Sequence, residues 1–416
     1  MMPSTDPGGT ALKFFKAGLL YLLVTILLGA LMITGKGYAV FGPLGVKVAH
    51  IHAGVLGFIT LIIMGSMYQI VPTLTGSKTY GEGLEYKQFL LMNIGILGLF
   101  ITLLFTGGVL RKGFIILFGL VVILASLLFA YIIFKTMASS RSKIKPVTIP
   151  FFKAAIIFYL AGITLGVLNA AFPRFFSGFL YTRTAHAHLG TLGFITMTIF
   201  GAEYQMFPML SLKKLWSERL AGITFWAFTA GVAGFFAALM LTNEPLMAVF
   251  AALLVGSTLL FLVNMGQTIR GAKWQGLDVS VKYLLAGQVF LLLTAGAGML
   301  MALPSRLSTY SWVWTHAHLG LLGFVSLTII GAMYHLVPML VWMEKYGPKM
   351  GKEKVPNIQD LFSKRLAHII LYASLISILG MASGMLLGNP VVLQASGITM
   401  AATAAVFSLD MFRIMK

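Results

Sequence analysis

Long apolar segments separated by short polar ones occupy almost the whole chain of 416 residues. Each segment has the roughly 20 residues that an α-helix needs to cross a bilayer. The pattern predicts an all-α integral membrane fold with twelve transmembrane helices in one membrane domain, residues 1–416. The predicted helices cover residues 12–35, 45–74, 86–108, 113–137, 150–171, 184–211, 219–241, 245–269, 280–302, 314–343, 363–388 and 390–413.

The second, sixth and tenth segments contain nearly the same phrase. It reads AHIHAGVLGFITLIIMGSMYQIVPTL from Ala49, AHAHLGTLGFITMTIFGAEYQMFPML from Ala185 and THAHLGLLGFVSLTIIGAMYHLVPML from Thr315. Equivalent histidines are 136 and then 130 residues apart, and each interval contains four predicted helices. Self-similarity at this period predicts three four-helix repeats, 12–137, 150–269 and 280–413, with pseudo-threefold symmetry.

Composition and charge place the chain in a membrane. It is 58% hydrophobic and 10% charged, with a mean hydropathy of +0.92, which is far from the usage of soluble proteins. The net charge of +19 is distributed unevenly: the termini and the loops after even-numbered helices carry 23 of the 30 Lys and Arg. The positive-inside rule then predicts cytoplasmic termini in an inner (cytoplasmic) membrane, and contact with lipid rather than with nucleic acid. The N-terminus carries no cleavable signal pattern.

The chain has no cysteine. This excludes disulfides, thiolate metal ligands, iron–sulfur clusters and thioether-attached heme.

Six of the eight histidines form three His-x-His pairs, one at the start of each repeated phrase, inside apolar segments. Histidine within a membrane is costly, so its presence predicts a functional site. Side chains at i and i+2 of a helix point about 200° apart, so each pair is expected to face two different centres. Three such helices in a ring would make three sites with two opposed nitrogens each, as a six-coordinate heme requires. The histidines are His50, His52, His186, His188, His316 and His318.

Basic residues lie in the outer loops just upstream of the pairs. They are candidates to bind heme propionates, the arginines more than the lysines because of their bidentate geometry. These candidates are Lys47, Arg174, Arg183 and Arg306, with Lys36 further from the pairs.

Other readings of the polar residues are weaker. Structural zinc would need four converging ligands, and a transporter would show intramembrane carboxylates and broken helices. Glu203 is the only acid well inside an apolar run and is expected to be interfacial or to take up protons. His335 and His368 stand outside the phrase and are not expected to be ligands.

With these motifs in place, the chain resembles the catalytic subunit I of the heme-copper oxidases, and most closely the cbb-type cytochrome c oxidases and nitric oxide reductases. The resemblance covers nearly the whole chain by helix count and is specific in helices two and ten. It implies that His316 binds a high-spin heme and that His318 binds a low-spin heme. The opposite axial ligand of the low-spin heme would be His50.

The chain departs from this family at the second metal. The family holds copper or non-heme iron with a histidine on helix six and a histidine pair at helix seven, but residues 219–241 contain neither histidine nor tyrosine. Copper is therefore not expected. The family's pairing of His318 with His50 implies, by repeat symmetry, His52 with His186 and His188 with His316. We expect three non-covalent b-type hemes.

The leading interpretation is a membrane-bound multiheme cytochrome that transfers electrons from a quinol or an external cytochrome, with additional membrane subunits as possible partners. One alternative is a terminal oxidase or nitric oxide reductase-like enzyme with an open heme on His316, an oxidoreductase. Another is a heme-based gas sensor or heme-handling membrane protein. Carbon monoxide binding separates the first interpretation from the second.

Overall fold

The computed structural model describes residues 7–141, 146–273, 276–303 and 309–416. Within these ranges the regular secondary structure is helical, and twelve long helices follow one another along the chain. The prediction of an all-α integral membrane protein is confirmed. The helices are α1 (Pro7–Ile33), α2 (Pro43–Thr75), α3 (Leu84–Phe105), α4 (Gly108–Ala138), α5 (Thr148–Ala171), α6 (182–211), α7 (Glu218–Met240), α8 (Glu244–Thr268), α9 (Val279–Ala302), α10 (Tyr310–Lys345), α11 (Lys364–Leu386) and α12 (Pro390–Ile414).

Eleven of these helices are long and apolar enough to cross a membrane. Helix α6 is the exception by composition, because two histidines, Glu203 and Gln205 lower its hydropathy. It is nevertheless continuous over residues 182–211 and is the counterpart of α2 and α10 in sequence. Short surface helices, Lys36–Phe41 and Pro173–Phe176, precede α2 and α6.

The helices pack in a closed ring of neighbours. Within each predicted repeat the first helix packs against the second, and the third pairs with the fourth. Between repeats α4 packs against α5, α8 against α9 and α12 against α1. The helices that carry the repeated phrase are largely enclosed, since α2 and α10 are the two most buried of the eleven candidate spans. The histidine-bearing helices therefore lie inside, and the remaining helices separate them from lipid.

Equivalent glycines fix the register between the first and second helix of each repeat. The backbone at Gly57, Gly193 and Gly323 is so close to an aromatic side chain of the preceding helix that a Cβ atom would overlap it. The facing side chains are Tyr21, Phe158 and Phe290. These three aromatic residues therefore occupy equivalent positions on α1, α5 and α9.

Each histidine-bearing helix changes its winding directly after the histidine pair. Eight residues adopt π-helical geometry, with backbone hydrogen bonds five residues apart, before the α-helix resumes. A hydroxyl at the end of each π-helical stretch donates to the carbonyl five residues earlier, at 2.8–2.9 Å. The stretches are Ala53–Thr60, Leu189–Thr196 and Leu319–Ser326, and the hydroxyls belong to Thr60, Thr196 and Ser326.

Candidate functional site

The three histidine pairs end the first α-helical part of α2, α6 and α10, immediately before the π-helical stretches. The first histidine of each pair uses Nδ1 to reach a backbone carbonyl of the preceding transmembrane helix. The distances are 2.9 Å from His50 to Thr25, 2.8 Å from His186 to Gly162 and 3.1 Å from His316 to Thr294. The three bonds are equivalent, and each fixes one imidazole against a neighbouring helix.

The second histidine of each pair bonds within its own helix. Its Nδ1 lies next to the carbonyl four residues earlier, which orients the ring along the helix surface. The distances are 2.9 Å from His52 to Val48, 2.9 Å from His188 to Thr184 and 2.8 Å from His318 to Trp314.

These bonds set the tautomer of all six rings. A carbonyl oxygen only accepts hydrogen bonds, so each Nδ1 must carry the proton and each Nε2 must present its lone pair. Within the described ranges, Nε2 of these rings has no hydrogen-bond partner. A histidine held through Nδ1–H to a carbonyl, with Nε2 free, is the arrangement found in metal-ligating histidines.

The two histidines of a pair face different neighbours. The ring of His52 lies opposite that of His186, with centroids 6.3 Å apart and planes 20° apart. The ring of His188 lies opposite His316 at 6.4 Å and 21°. His50 and His318 are near enough to interact electrostatically. The structure thus brings two of the pairs that the resemblance implies ring to ring and places the third, His50 and His318, within electrostatic range.

The ring separations fit a metal ion between two imidazoles. Metal–nitrogen bonds of about 2 Å on each side, plus about 1 Å from each ring centre to its Nε2, place two ring centres about 6 Å apart. In the described part of the chain, no three His, Asp or Glu side chains converge on one point. The donor set therefore suits two axial nitrogens with the other positions supplied by a ligand such as a porphyrin.

A cavity of about 2160 Å³ has all six histidines in its lining. Pockets for a single drug-sized ligand measure about 300–1,000 Å³, so this space is large enough for several such groups. The remaining lining is mostly apolar and comes from all three repeats.

Glycines beneath the first histidines make room for their rings. A Cβ atom would lie 3.1 Å from Cε1 of His50 if Gly29 were substituted, 2.7 Å from Cε1 of His186 at Gly166, and 2.9 Å from Cε1 of His316 at Gly298. Even the smallest side chain at these positions would push the imidazole away from its present place.

We expect Gly298→Ala to lower the thermal midpoint of the detergent-solubilised chain relative to Gly296→Ala. Both substitutions gain about 0.5–1 kcal/mol from reduced freedom of the unfolded chain. Only the first crowds His316, since nothing lies within 4 Å of a Cβ at Gly296. Overpacking of this kind costs about 1–3 kcal/mol. Equal midpoints for the two variants would show that the ring at His316 is not confined.

The basic residues that the sequence offers as propionate ligands are distributed unevenly around the cavity. Lys47 lines it, and its Nζ lies 4.6 Å from the ring centre of Trp314 and 5.5 Å from that of Tyr310. Arg183 lines it from an exposed position. Arg174 is exposed on the short helix Pro173–Phe176 and does not contribute to the lining.

Arg306 lies outside the described residues. Lys36, the other lysine named from the sequence, begins the short helix Lys36–Phe41 and is not among the lining residues.

Sequence reasoning missed several polar lining residues, among them Arg111 and Trp314. Arg111, at the outer end of α4, lines the cavity and donates from Nη2 to the carbonyl of Leu103 at 3.1 Å. The indole Nε1 of Trp314 is buried without a hydrogen-bond partner in the ranges described, although the carbonyl of the same residue accepts from His318. Neither position belongs to the repeated phrase, so the motif gave no signal for them.

One outer tyrosine has an altered pKa. Burial, and then the negative charge of Glu244, raise the pKa of Tyr181, whose hydroxyl donates to Glu244 Oε1 at 3.3 Å. Both residues line the cavity. The hydroxyl therefore stays protonated at neutral pH and can act as a donor there.

His335 and His368 lie away from the three pairs. Nζ of Lys282 donates to Nε2 of His368 at 3.2 Å, and Nδ1 of His368 donates to the carbonyl of Lys364 at 2.7 Å. His335 is half-buried on α10 and interacts electrostatically with Asp278. Neither lines the cavity.

Comparison with known proteins relates this helical membrane protein to the heme-copper oxidases. Residues 108–243 match the family model described as Cytochrome C and Quinol oxidase polypeptide I. The solved structure of a heme-copper terminal oxidase dimer has the same fold, with a TM-score of 0.78, 14% identity, and coverage of 99% of this chain and 84% of that one.

Curated relatives point the same way. The chain is 28% identical over 204 residues to the cbb3-type cytochrome c oxidase subunit CcoN1 of Stutzerimonas stutzeri, which is 46% of this chain and 42% of that subunit. An uncharacterised protein of Aquifex aeolicus (strain VF5) is 28% identical over 330 residues, 78% of this chain and 81% of its own length. Together with the family model over residues 108–243, these findings support a divergent heme-copper oxidase subunit I, and the chain is an integral membrane protein.

Proposed function

We propose that the protein is a multiheme b-type cytochrome that passes electrons between three bis-histidine hemes in the outer half of the membrane. The observation that carries this proposal is the set of six imidazoles with Nε2 free and Nδ1 held by a carbonyl, four of which form two pairs of facing rings. The proposed pairs are His318 with His50, His52 with His186, and His188 with His316.

The residues present fit this cofactor. The ring separations of 6.3 and 6.4 Å leave space for one iron between two nitrogens. When bound, each heme supplies one-electron redox chemistry, and two axial histidines leave no position open for a substrate. Lys47, Arg183 and Arg111 line the cavity and are proposed to bind propionates. Arg174 and Arg306 remain candidates from sequence only.

The histidine-bearing helices connect the three proposed sites. His50 and His52 are two residues apart, yet they face different sites, and the same holds for the other two pairs. Each site is thus joined to both others through a single helical turn. These short connections suit a protein that moves electrons around a ring rather than one that concentrates them at a single reacting atom.

The membrane topology is proposed from the charge distribution, and the partners are proposed from the resemblance to oxidase subunits. We propose that both termini are cytoplasmic in the inner membrane, because 23 of 30 basic residues lie on that side by our topology. A quinol or an external cytochrome is the proposed donor, and further membrane subunits are proposed partners. The division into repeats 12–137, 150–269 and 280–413 is part of the same proposal.

Purified, detergent-solubilised protein is expected to contain three hemes per chain by the pyridine hemochrome assay. Its reduced spectrum is expected not to change with carbon monoxide, because no axial position is free. Two hemes, one of which binds carbon monoxide, would instead favour an oxidase-like enzyme. Absence of heme after reconstitution with hemin would contradict the proposal.

A further inference from the structure

In the described part of the chain, four charged side chains other than histidine line the cavity that contains the histidines. They are Lys47, Arg111, Arg183 and Glu244. Three identical repeats would place the same charge beside each proposed site, but one acid and three bases cannot be shared equally among three sites. The sites are the first (His50 with His318), the second (His52 with His186) and the third (His188 with His316).

The position three residues before the first histidine of each pair lines the cavity in all three copies of the phrase. It lies about 60° around the helix from that histidine, on the same face. The position is occupied by Lys47, Arg183 and Val313. Nζ of Lys47 lies 4.6 Å from the ring centre of Trp314, whose carbonyl accepts from His318, so Lys47 is beside the first site. The equivalent positions put Arg183 beside the second site and the apolar Val313 beside the third.

The position seven residues before the second histidine of each pair locates the other two charges. Seven residues are about two turns, so this position shares the face of the second histidine. At the second site it is Gly45, and Nη2 of Arg111 lies 3.7 Å from the place of a Cβ there. At the third site it is Tyr181, whose hydroxyl donates to Oε1 of Glu244 at 3.3 Å. Arg111 is therefore beside the second site, and Glu244 is beside the third.

The local charge thus differs from site to site among the described residues. The second site has two positive charges, the first has one, and the third has one negative charge. When bound, a b-type heme brings the same two propionates to every site, so the difference between the sites comes from the protein. A nearby positive charge favours the reduced state and a negative charge favours the oxidised state. The affinity for an electron is therefore highest at the second site and lowest at the third.

Exposure decides how strongly each charge acts. Arg111 and Lys47 are half-buried, whereas Arg183 and Glu244 are exposed. Charges near a protein surface interact with an effective dielectric constant of about 20, and salt screens the exposed ones further. Each charge is expected to change the equilibrium constant for an electron between two sites by about two- to tenfold. The second and third sites differ most, because one has two bases and the other has an acid.

We propose that the three sites form an ordered series, in which the third site binds an electron most weakly and the second site binds it most tightly. An electron that the donor places on the third site then passes to the second, which oxidises the third site and reduces the second. The charges at the outer ends of the helices therefore give the ring a direction that its repeated histidines alone would not. This inference rests on the function proposed above.

The test is an optical redox titration of the full-length, heme-loaded chain in detergent at low ionic strength, with three one-electron steps. Arg111→Gln and Arg183→Gln are expected to lower the midpoint potential of the same step, the one that is reduced first. Glu244→Gln and Val313→Arg are expected to raise the potential of the step that is reduced last. Each shift should correspond to a change of about two- to tenfold in the equilibrium constant, where tenfold is about 59 mV for one electron.

Arg174→Gln is the matched control, because Arg174 is an exposed outer arginine that does not line the cavity. Its titration is expected to match that of the unmodified chain. Glu244→Gln and Val313→Arg remove no basic residue, so they test the order even if loss of an arginine prevents heme binding. Shifts of different steps in Arg111→Gln and Arg183→Gln would overturn the inference. An unchanged last step in Glu244→Gln and Val313→Arg would do the same, while three hemes in these samples would still support the proposed function. A chain that binds no heme would overturn both.

Discussion

Replacing His186 with Ala is expected to remove or open one of the three proposed hemes and to leave the other two in place. The partner ring of His52 would then offer a single nitrogen, and the carbonyl of Gly162 would lose its hydrogen bond. The imidazole also packs against Gly166, and its removal leaves a space in the helix interface, so a lower thermal midpoint is also expected. Heme content per chain, measured by pyridine hemochrome, tests this result.

Double variants show whether the pairing is correct. Substitution of both His52 and His186 should remove no more heme than either change alone, because the two side chains act on one site. Substitution of His186 and His318 should remove or open two hemes. His335→Ala, on a histidine outside the three pairs, should keep all three. Loss of two hemes from the His52 and His186 double variant would contradict the pairing.

Replacing His188 with Ala is expected to create one carbon monoxide-binding heme per chain where the unmodified protein has none. The ring opposite His188 is that of His316, 6.4 Å away, so removal of one imidazole leaves the other as a single axial ligand with a vacant side. Reduced-minus-carbon monoxide difference spectra measure the change directly.

The same variant distinguishes the proposed electron-transfer function from the alternative, an enzyme with an open heme. If the heme on His316 is already five-coordinate, the unmodified chain will bind carbon monoxide and His188→Ala will add no further binding. That result would favour reduction of oxygen or nitric oxide, in keeping with the relation to oxidase subunits. His50→Ala is the control, since it opens a different pair and should create carbon monoxide binding under either function.

The sequence predicted the fold and the grouping of the histidines because both depend on short-range patterns. Apolar runs of membrane length define helices without knowledge of their partners. The 200° separation of residues i and i+2 predicts that His50 and His52 face different sites, and the structure places His318 near one and His186 near the other. Whether these pairs bind heme remains a prediction.

Contacts between distant segments could not be read from the sequence in the same way. Glu203 is 85 residues from Gln288, and nothing in either local pattern indicates that they meet. Arg111 reaches the cavity only because α3 and α4 form a tight hairpin beside α2. Arg174 had the right residue type and loop, but it lies on a surface helix and does not line the cavity.

The π-helical stretches after the histidine pairs also bear on the history of the chain. π-helical turns are rare in proteins and are frequently found at functional sites. Here the π-helical geometry occurs in three helices at the same distance from a His-x-His pair and ends each time at a Thr or Ser hydroxyl. A rare irregularity at three equivalent places is what one ancestral module, copied along the chain, would leave behind, in keeping with the proposed division into repeats.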